Sequence, residues 1–441
     1  MDLLISFAAF MAAMIFSLVR GVSMIFPLLL GLLAFGIVAL RRGFKIKNIL
    51  KMMLHGALGA KIVVIILALI GCLTSLWRQS GTIAYFTYYG IRLIPPSVFI
   101  LAAFLLTSVM SYALGTSFGV SATMGVILLT IARASGISTV LTGGAVMSGL
   151  YFGDRASPAS SSASLVANVT KTDHSKNIRL LLKSSIVPFA ICAAFYALTA
   201  FFTGSGSVDT ALISDFQKEF RLSLWCVTPT VLLLVLAFAG MKIKYVMAIN
   251  IAYCVGLTVI LQKQSLLSVL KMTVIGFTPQ NPALSTVLSG GGAVSMLEVM
   301  ALLLLSSACA GLFEGTGMLS AVEKVLASIS KKAGRFTAML VTCIGVCAVF
   351  CNQTIGIIMC RQCMSKNYGD SDAEKTAFMM DIEGSVITIA ALVPWCIASS
   401  VPLKTIGCDV RSLPLALYLY LLPLTHFIAG RLKARKHGKN V

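Results

Sequence analysis

In Tyr151-Phe-Gly-Asp-Arg-Ala-Ser-Pro-Ala-Ser-Ser-Ser-Ala-Ser164, an aspartate, an arginine, a proline and five serines break into an otherwise apolar segment, 138–171. Gly153 and Pro158 permit a helix to unwind there, because proline cannot donate the backbone bond that a helix interior needs. Unwinding frees amide and carbonyl groups, and in hydrocarbon each unsatisfied group costs several kcal/mol, so such a break survives only beside protein, water or a ligand. Asp154 adds a carboxylate, and Ser157, Ser160, Ser161, Ser162 and Ser164 add neutral oxygens. Hard cations such as sodium take oxygen ligands of this kind. A carboxylate at membrane depth is costly and usually functional. If it binds either a proton or a cation, but not both, that competition is the simplest physical basis for antiport. The bland alternative for Asp154 is a helix cap or an ion pair with Arg155. Arg155 either anchors the broken helix or meets an anionic substrate as part of the site wall.

The rest of the chain supplies the membrane that this break requires. Of 441 residues, 58% are hydrophobic and only 11% charged, where a soluble surface needs about a quarter. Apolar runs at 28–40, 61–77, 186–202, 224–240, 248–261, 296–313 and 338–350 approach the roughly 20 residues that a spanning helix takes. The net charge of +20 comes from 35 basic and 15 acidic residues. The basic ones cluster in short connections (Arg41 to Lys51, Lys171 to Lys183, Lys242 and Lys244, Lys331 to Arg335, Arg431 to Lys439), which is the positive-inside pattern and not a nucleic-acid surface. Twelve cysteines lie mostly in apolar runs, as small hydrophobes. Cys360 and Cys363 have CxxC spacing without a second pair, so no metal site is expected from them. The start, 1–20, lacks a basic leader and a cleavage site and reads as a retained first helix.

With these clusters in the cytoplasm, both termini are inside. Helices 3–19 and 24–40 form an opening hairpin, 58–77 crosses outward, and 80–94 lies along the interface. Segments 178–203, 222–240, 244–261 and 294–313 cross in turn, 318–332 is an interfacial helix with Met318, Leu319, Val322, Val325, Leu326 and Ile329 on one face, and 412–430 ends inside. Residues 97–133 and 335–364 are broken at Gly115–Gly119 and Cys351–Thr354. Their short arms predict two re-entrant hairpins with polar tips, Thr116-Ser117 and Asn352-Gln353-Thr354, which are candidate ion or substrate ligands. Each hairpin precedes a broken helix, 138–171 and 376–408, the second broken at Pro394-Trp395. A shift of 236 residues carries Pro158 onto Pro394 and Gly81 onto Gly317. The ends of the two copies differ in basic charge as they would if the copies faced opposite ways.

The expected fold is thus an all-α polytopic inverted repeat of about ten spans plus hairpins. It divides into an N-terminal hairpin and basic cytoplasmic loop (1–57), a first repeat with its following helix (58–203), linking helices (204–293), a second repeat with the last helix (294–430) and a basic tail (431–441). In the second copy Glu383 is the other candidate for binding a proton or cation. Trp395 is a candidate wall. Asp381 reads as solvated, and Glu298 and Glu314, at the two ends of one helix, as structural. Gly290-Gly-Gly292 is a flexible connection, with no P-loop lysine beside it.

These residues together make the chain similar to the NhaC family of sodium:proton antiporters. The likeness is carried by Ser80-Gly-Thr-Ile83, Tyr88-Tyr-Gly90, Tyr151-Phe-Gly-Asp-Arg-Ala-Ser-Pro158, Phe313-Glu-Gly-Thr-Gly-Met-Leu319 and Pro394-Trp395. The resemblance implies scaffold helices around a transport core of hairpins and broken helices, moving as an elevator in a homodimer of a bacterial inner membrane, with no cofactor. It also implies sodium:proton exchange, in a family with members that exchange malate and lactate. The chain departs from the family pattern where acidic or Asn residues are usual. Ser161 and Ser164 follow Ser157-Pro158, Asn352 stands at the second tip, Gly384 follows Glu383, and Cys396 follows Trp395.

Two transport functions therefore stay open: a sodium:proton antiporter with Asp154 alternating between ions, or an ion-coupled carrier of an amino acid or carboxylate. A membrane hydrolase is disfavoured, because His55, His174, His426 and His437 fall at segment ends, away from both breaks, and no Ser-His-acid or HExxH set is present.

Overall fold

The computed structural model describes residues 2–201, 210–318 and 320–436. Expectations for Leu319, for the end of segment 178–203 and for the tail from His437 onward lie outside the described residues, as do the side chains of Val322, Val325 and residues 433–436. Apart from one isolated bridge between Phe277 and Gly290, every regular element described is helical. Among the described residues six helices are long and apolar enough to cross a bilayer: Lys61–Gln79, Pro96–Leu114, Ser117–Ala134, His174–Phe201, Ile243–Leu261 and Ala293–Thr316. Asp372–Leu392 and Ile397–Ile406, bent by 52°, make a seventh when taken as one broken span. Large apolar side chains such as Leu33, Ile37, Val109, Ile186, Val235 and Ile260 point outward, which lipid tolerates and water would not. The chain is a multi-pass membrane protein.

Two segments differ from the sequence expectation. The arms of the first hairpin are not short. Proline at the first turn starts Pro96–Leu114, and a wide-turn stretch, Ser121–Gly125, carries the second arm on to Ala134, so each arm is span-length. The second hairpin does have short arms, Arg335–Phe350 and Gln353–Met364. The basic stretch after the opening helices is not a loop throughout, because Ile46–Gly59 is helical. The interfacial candidate at 80–94 is the short helix Thr82–Leu93, which buries Ile83, Ala84, Tyr88 and Ile91 and packs on Val126–Ala134.

Backbone conformation repeats at the offset noted in the sequence. Gly115 (φ 64) and Cys351 (φ 50) lie 236 residues apart, and each ends a first hairpin arm in the left-handed region. Thr116 and Asn352 follow in extended conformation, and each side chain caps the second arm. The same offset takes Ala156 to Leu392, where each broken helix stops, and Ser160 to Cys396, where each resumes. It then takes Lys171 (φ 56) to Gly407 (φ 72), which close the continuations. Tips and breaks also meet alike: Ser157 Oγ donates to the Tyr112 carbonyl, and the Trp395 indole donates to the Ala348 carbonyl at 2.8 Å, and those two carbonyls are again 236 apart.

Helix Ile46–Gly59 crosses Leu297–Thr316 at glycines. A Cβ on Gly56 would lie 2.2 Å from the Ser307 carbonyl oxygen, and one on Gly311 would lie 2.4 Å from that of Met52. Small residues let two membrane helices approach to backbone contact. Gly311→Val is expected to destabilise the protein by about 2–3 kcal/mol through overpacking. Gly59→Ala, where an added Cβ meets nothing within 4 Å, should not. Thermal unfolding in detergent checks this, and equal midpoints for the two variants would refute it.

Candidate functional site

Asp154 sits on the last turn of helix Thr139–Ala156, in front of the break, and is 6% exposed. Its carboxylate joins both hairpin tips. Oδ1 accepts the Ser117 amide N–H at 3.4 Å, from the first tip. Oδ2 accepts from the Gln353 side-chain amide at 2.9 Å, from the second tip, and from Ser162 Oγ at 3.3 Å. The main-chain carbonyl of Asp154 accepts the hydroxyls of Ser160 and, at 2.8 Å, of Ser162. One carboxylate, one carbonyl and two hydroxyls therefore converge where two hairpins and a broken helix meet. The break persists because its freed backbone groups are used there.

Several polar residues singled out from the sequence have a structural task at that meeting point. Thr116 Oγ1 accepts the Gly119 amide N–H, and Asn352 Oδ1 accepts those of Thr354 and Ile355 at 2.8 and 3.2 Å. Such caps satisfy amides that a helix start leaves open. Ser160 caps the continuation by accepting the Ala163 amide N–H at 3.1 Å. Ser157 and Trp395 tie the two breaks to the hairpin arms through the Tyr112 and Ala348 carbonyls. Pro158 and Pro394 both fall inside the breaks.

Arg155 and Glu383 form the second part of the site, and both are fully buried. The Arg155 guanidinium donates from Nε to the main-chain oxygen of Glu383 at 2.9 Å, from Nη1 to the Leu181 carbonyl at 3.0 Å and Ser185 Oγ at 2.7 Å, and from Nη2 to Ser184 Oγ at 2.9 Å. It thus ties the first break to the turn after helix Asp372–Glu383 and to helix His174–Leu198, which is an anchoring arrangement. Glu383 is the last residue of helix Asp372–Glu383, before a turn at Gly384-Ser385. Neither of its carboxylate oxygens has a hydrogen-bond partner among the described residues. The Arg155 guanidinium lies against the Glu383 main-chain oxygen. A buried carboxylate without a donor needs a positive companion, a proton or a cation, because leaving the charge bare costs several kcal/mol.

Ser161 and Thr354 are exposed, and among the described contacts Ser164 makes no side-chain hydrogen bond to Asp154, as the helix restarting at Ser161 turns only every third or fourth side chain inward. Other sequence expectations are corrected. Gly153 does not unwind the helix, which continues to Ala156. A Cβ on Gly153 would meet the Ser111 backbone at 2.0 Å, so the glycine serves close packing of Thr139–Ala156 on Pro96–Leu114. Asp381 is not solvated: its oxygens meet His426 Nε2 at 2.7 Å and the Tyr368 hydroxyl at 2.6 Å. His174 is not remote from the break, lying 3.0 Å from the Pro158 carbonyl oxygen. Tyr151, quoted with the family-like stretch but given no site role there, donates its buried hydroxyl to the Ala398 carbonyl and so links the two broken helices. Among the described residues no three His, Cys, Asp or Glu side chains converge as a metal site. A hard cation at Asp154 would be held by a single carboxylate with neutral oxygens.

Residues 149–430 match the Na+/H+ antiporter family. The chain is 27% identical to the Na(+)/H(+) antiporter NhaC of Bacillus subtilis over 92% of each chain. It is 28% identical to that organism's Malate-2H(+)/Na(+)-lactate antiporter, over 81% of this chain and 78% of the relative. It is 25% identical to the Arginine/ornithine antiporter ArcD of Halobacterium salinarum, over 83% and 78%.

Proposed function

The chain belongs to the Na+/H+ antiporter family and is a secondary active transporter, and from that premise we propose that it exchanges sodium for protons at Asp154, with Glu383 as the second acid of the site. The observation that carries this is the Asp154 carboxylate gripped by Ser117 of one hairpin and Gln353 of the other. A proton on this carboxylate and a sodium ion beside it exclude each other, so one site serves both ions in turn. Sodium would draw on Asp154, its own carbonyl, and the hydroxyls of Ser160 and Ser162, with Gln353 able to turn its amide oxygen inward. Trp395 walls this space from the second hairpin arm.

The transport core in this reading is an inverted repeat of 58–173 and 294–409, supported by the backbone coincidences at the 236-residue offset. Oppositely facing halves that meet at helix breaks give a site reachable from either side in turn. The positive-inside distribution supports cytoplasmic termini and a bacterial inner membrane, and assembly as a homodimer follows from the family resemblance.

A second reading, an ion-coupled exchanger of a small organic solute such as an amino acid or a carboxylate, has its own support. Groups around Asp154 are all donors, few acids remain in the core, and relatives are named for malate, lactate, arginine and ornithine. Everted vesicles from a host stripped of its own antiporters separate the two. Sodium chloride is expected to dissipate a preformed pH gradient, read as dequenching of a pH dye, where potassium chloride does not. A response to an organic solute with none to sodium would transfer the site to the second reading.

A further inference from the structure

A groove of about 580 Å³ lies between helix Ile46–Gly59 and helix Leu297–Thr316. Its floor is the glycine crossing, where Gly311 and Gly315 leave no side chain to fill it. Its walls are of three kinds. Leu54 and Leu58 are exposed apolar residues, continuous with exposed Leu50 one turn earlier. Lys51 and His55, four residues apart and so on one helix face, bring an ammonium and an imidazole N–H. Glu314 on the facing helix brings a carboxylate. Among the described residues no ion pair joins Glu314 to Lys51 or His55, so the charges face the groove and not each other.

The depth of the groove is set by its neighbours. Helix Ile46–Gly59 follows the basic stretch beginning at Arg41 and leads through Ala60 into the span Lys61–Gln79, while Glu314 lies two residues from the end of the span Ala293–Thr316. The groove therefore opens at the level where spans meet lipid headgroups. A ligand that matches it carries a negative and a positive group a few ångströms apart, joined to an apolar chain. We propose that the groove binds one phospholipid with an ethanolamine headgroup, its phosphate at Lys51 and His55, its primary ammonium at Glu314, and an acyl chain along Leu54 and Leu58. Phosphatidylcholine presents a quaternary ammonium that cannot donate a hydrogen bond to Glu314. Phosphatidylglycerol presents no cation at all.

Thermal unfolding of the purified full chain in phosphatidylcholine nanodiscs, plain or doped with phosphatidylethanolamine or phosphatidylglycerol, tests this without any transport readout. The wild type should unfold ~3 °C or more higher with phosphatidylethanolamine than in plain phosphatidylcholine, since a ligand bound only by the folded state raises its midpoint. Glu314→Gln, at an exposed position, should keep the midpoint in plain phosphatidylcholine and lose the ethanolamine increment. Lys51→Gln with His55→Gln should lose that increment as well. Equal wild-type midpoints in all three lipids, a larger increment with phosphatidylglycerol, or an ethanolamine increment that survives Glu314→Gln would each overturn the proposal.

Discussion

Asp154→Asn is expected to abolish sodium-dependent dequenching in everted vesicles, lowering the initial rate by ~100-fold or more, equivalent to about 3 kcal/mol of lost stabilisation. The substitution keeps the side chain's shape, so Gln353 can still donate to the remaining oxygen. With that oxygen on Gln353 and Ser162, the new amide group replaces Oδ1 and faces the Ser117 N–H, which costs about 1–3 kcal/mol for an unsatisfied buried group. Relief from burying a charge offsets part of that, so the variant should fold and unfold within a few degrees of the wild type. What it loses is specific: asparagine binds no proton in this pH range and offers a cation no charge. Asp154→Glu, which keeps the charge but displaces it by one methylene, should retain exchange with weaker apparent sodium affinity. A folded Asp154→Asn protein with the wild-type sodium response would remove Asp154 from the mechanism.

The helix breaks were legible in the sequence because their chemistry is local. Inside apolar runs, proline, clustered serines and polar dipeptides are costly unless the helix opens beside them, and the structure breaks at Ser157–Ser160, at Gly115-Thr116 and at Cys351-Asn352. Side-chain roles were less legible because they depend on helical phase after a break. Ser162 faces Asp154 and Ser161 faces out, a difference fixed by where helix Ser161–Thr170 restarts. Tertiary partners were not legible at all. Nothing in the composition around Arg155 announces that its fork is consumed by Glu383, Leu181, Ser184 and Ser185. Gly153 reads as a hinge in sequence and serves as a contact surface in space.

Thr116 and Asn352 bear on the less acidic character of the second tip. The two residues lie 236 positions apart and do the same work, each capping the second arm of its hairpin through a side-chain oxygen. A cap needs an acceptor and not a charge, so Asn352 caps the hairpin arm without placing a carboxylate at this tip. The remaining negative charge of the core rests on Asp154 and Glu383.

Glu383→Gln should accordingly separate charge from shape in a way that Asp154→Asn does not. Three buried ionisable groups, Asp154, Arg155 and Glu383, lie within electrostatic reach of one another. Arginine stays protonated in proteins. With both acids ionised the trio carries one net negative charge, which a single monovalent cation neutralises. Without the Glu383 charge, Arg155 already cancels Asp154, and an incoming sodium ion would leave the pocket positive. Two unit charges attract by about 4 kcal/mol at ~4 Å and an effective dielectric of ~20, and by less when further apart, so losing the Glu383 charge should weaken apparent sodium affinity by about tenfold or more. Because Asp154 itself is untouched, exchange should return at high sodium, which distinguishes this variant from Asp154→Asn. Glu383→Asp, which keeps the charge, should stay close to the wild type. Dequenching titrated across sodium concentration measures all three, and an unshifted sodium dependence in folded Glu383→Gln would show that this carboxylate does not act on the transported ion.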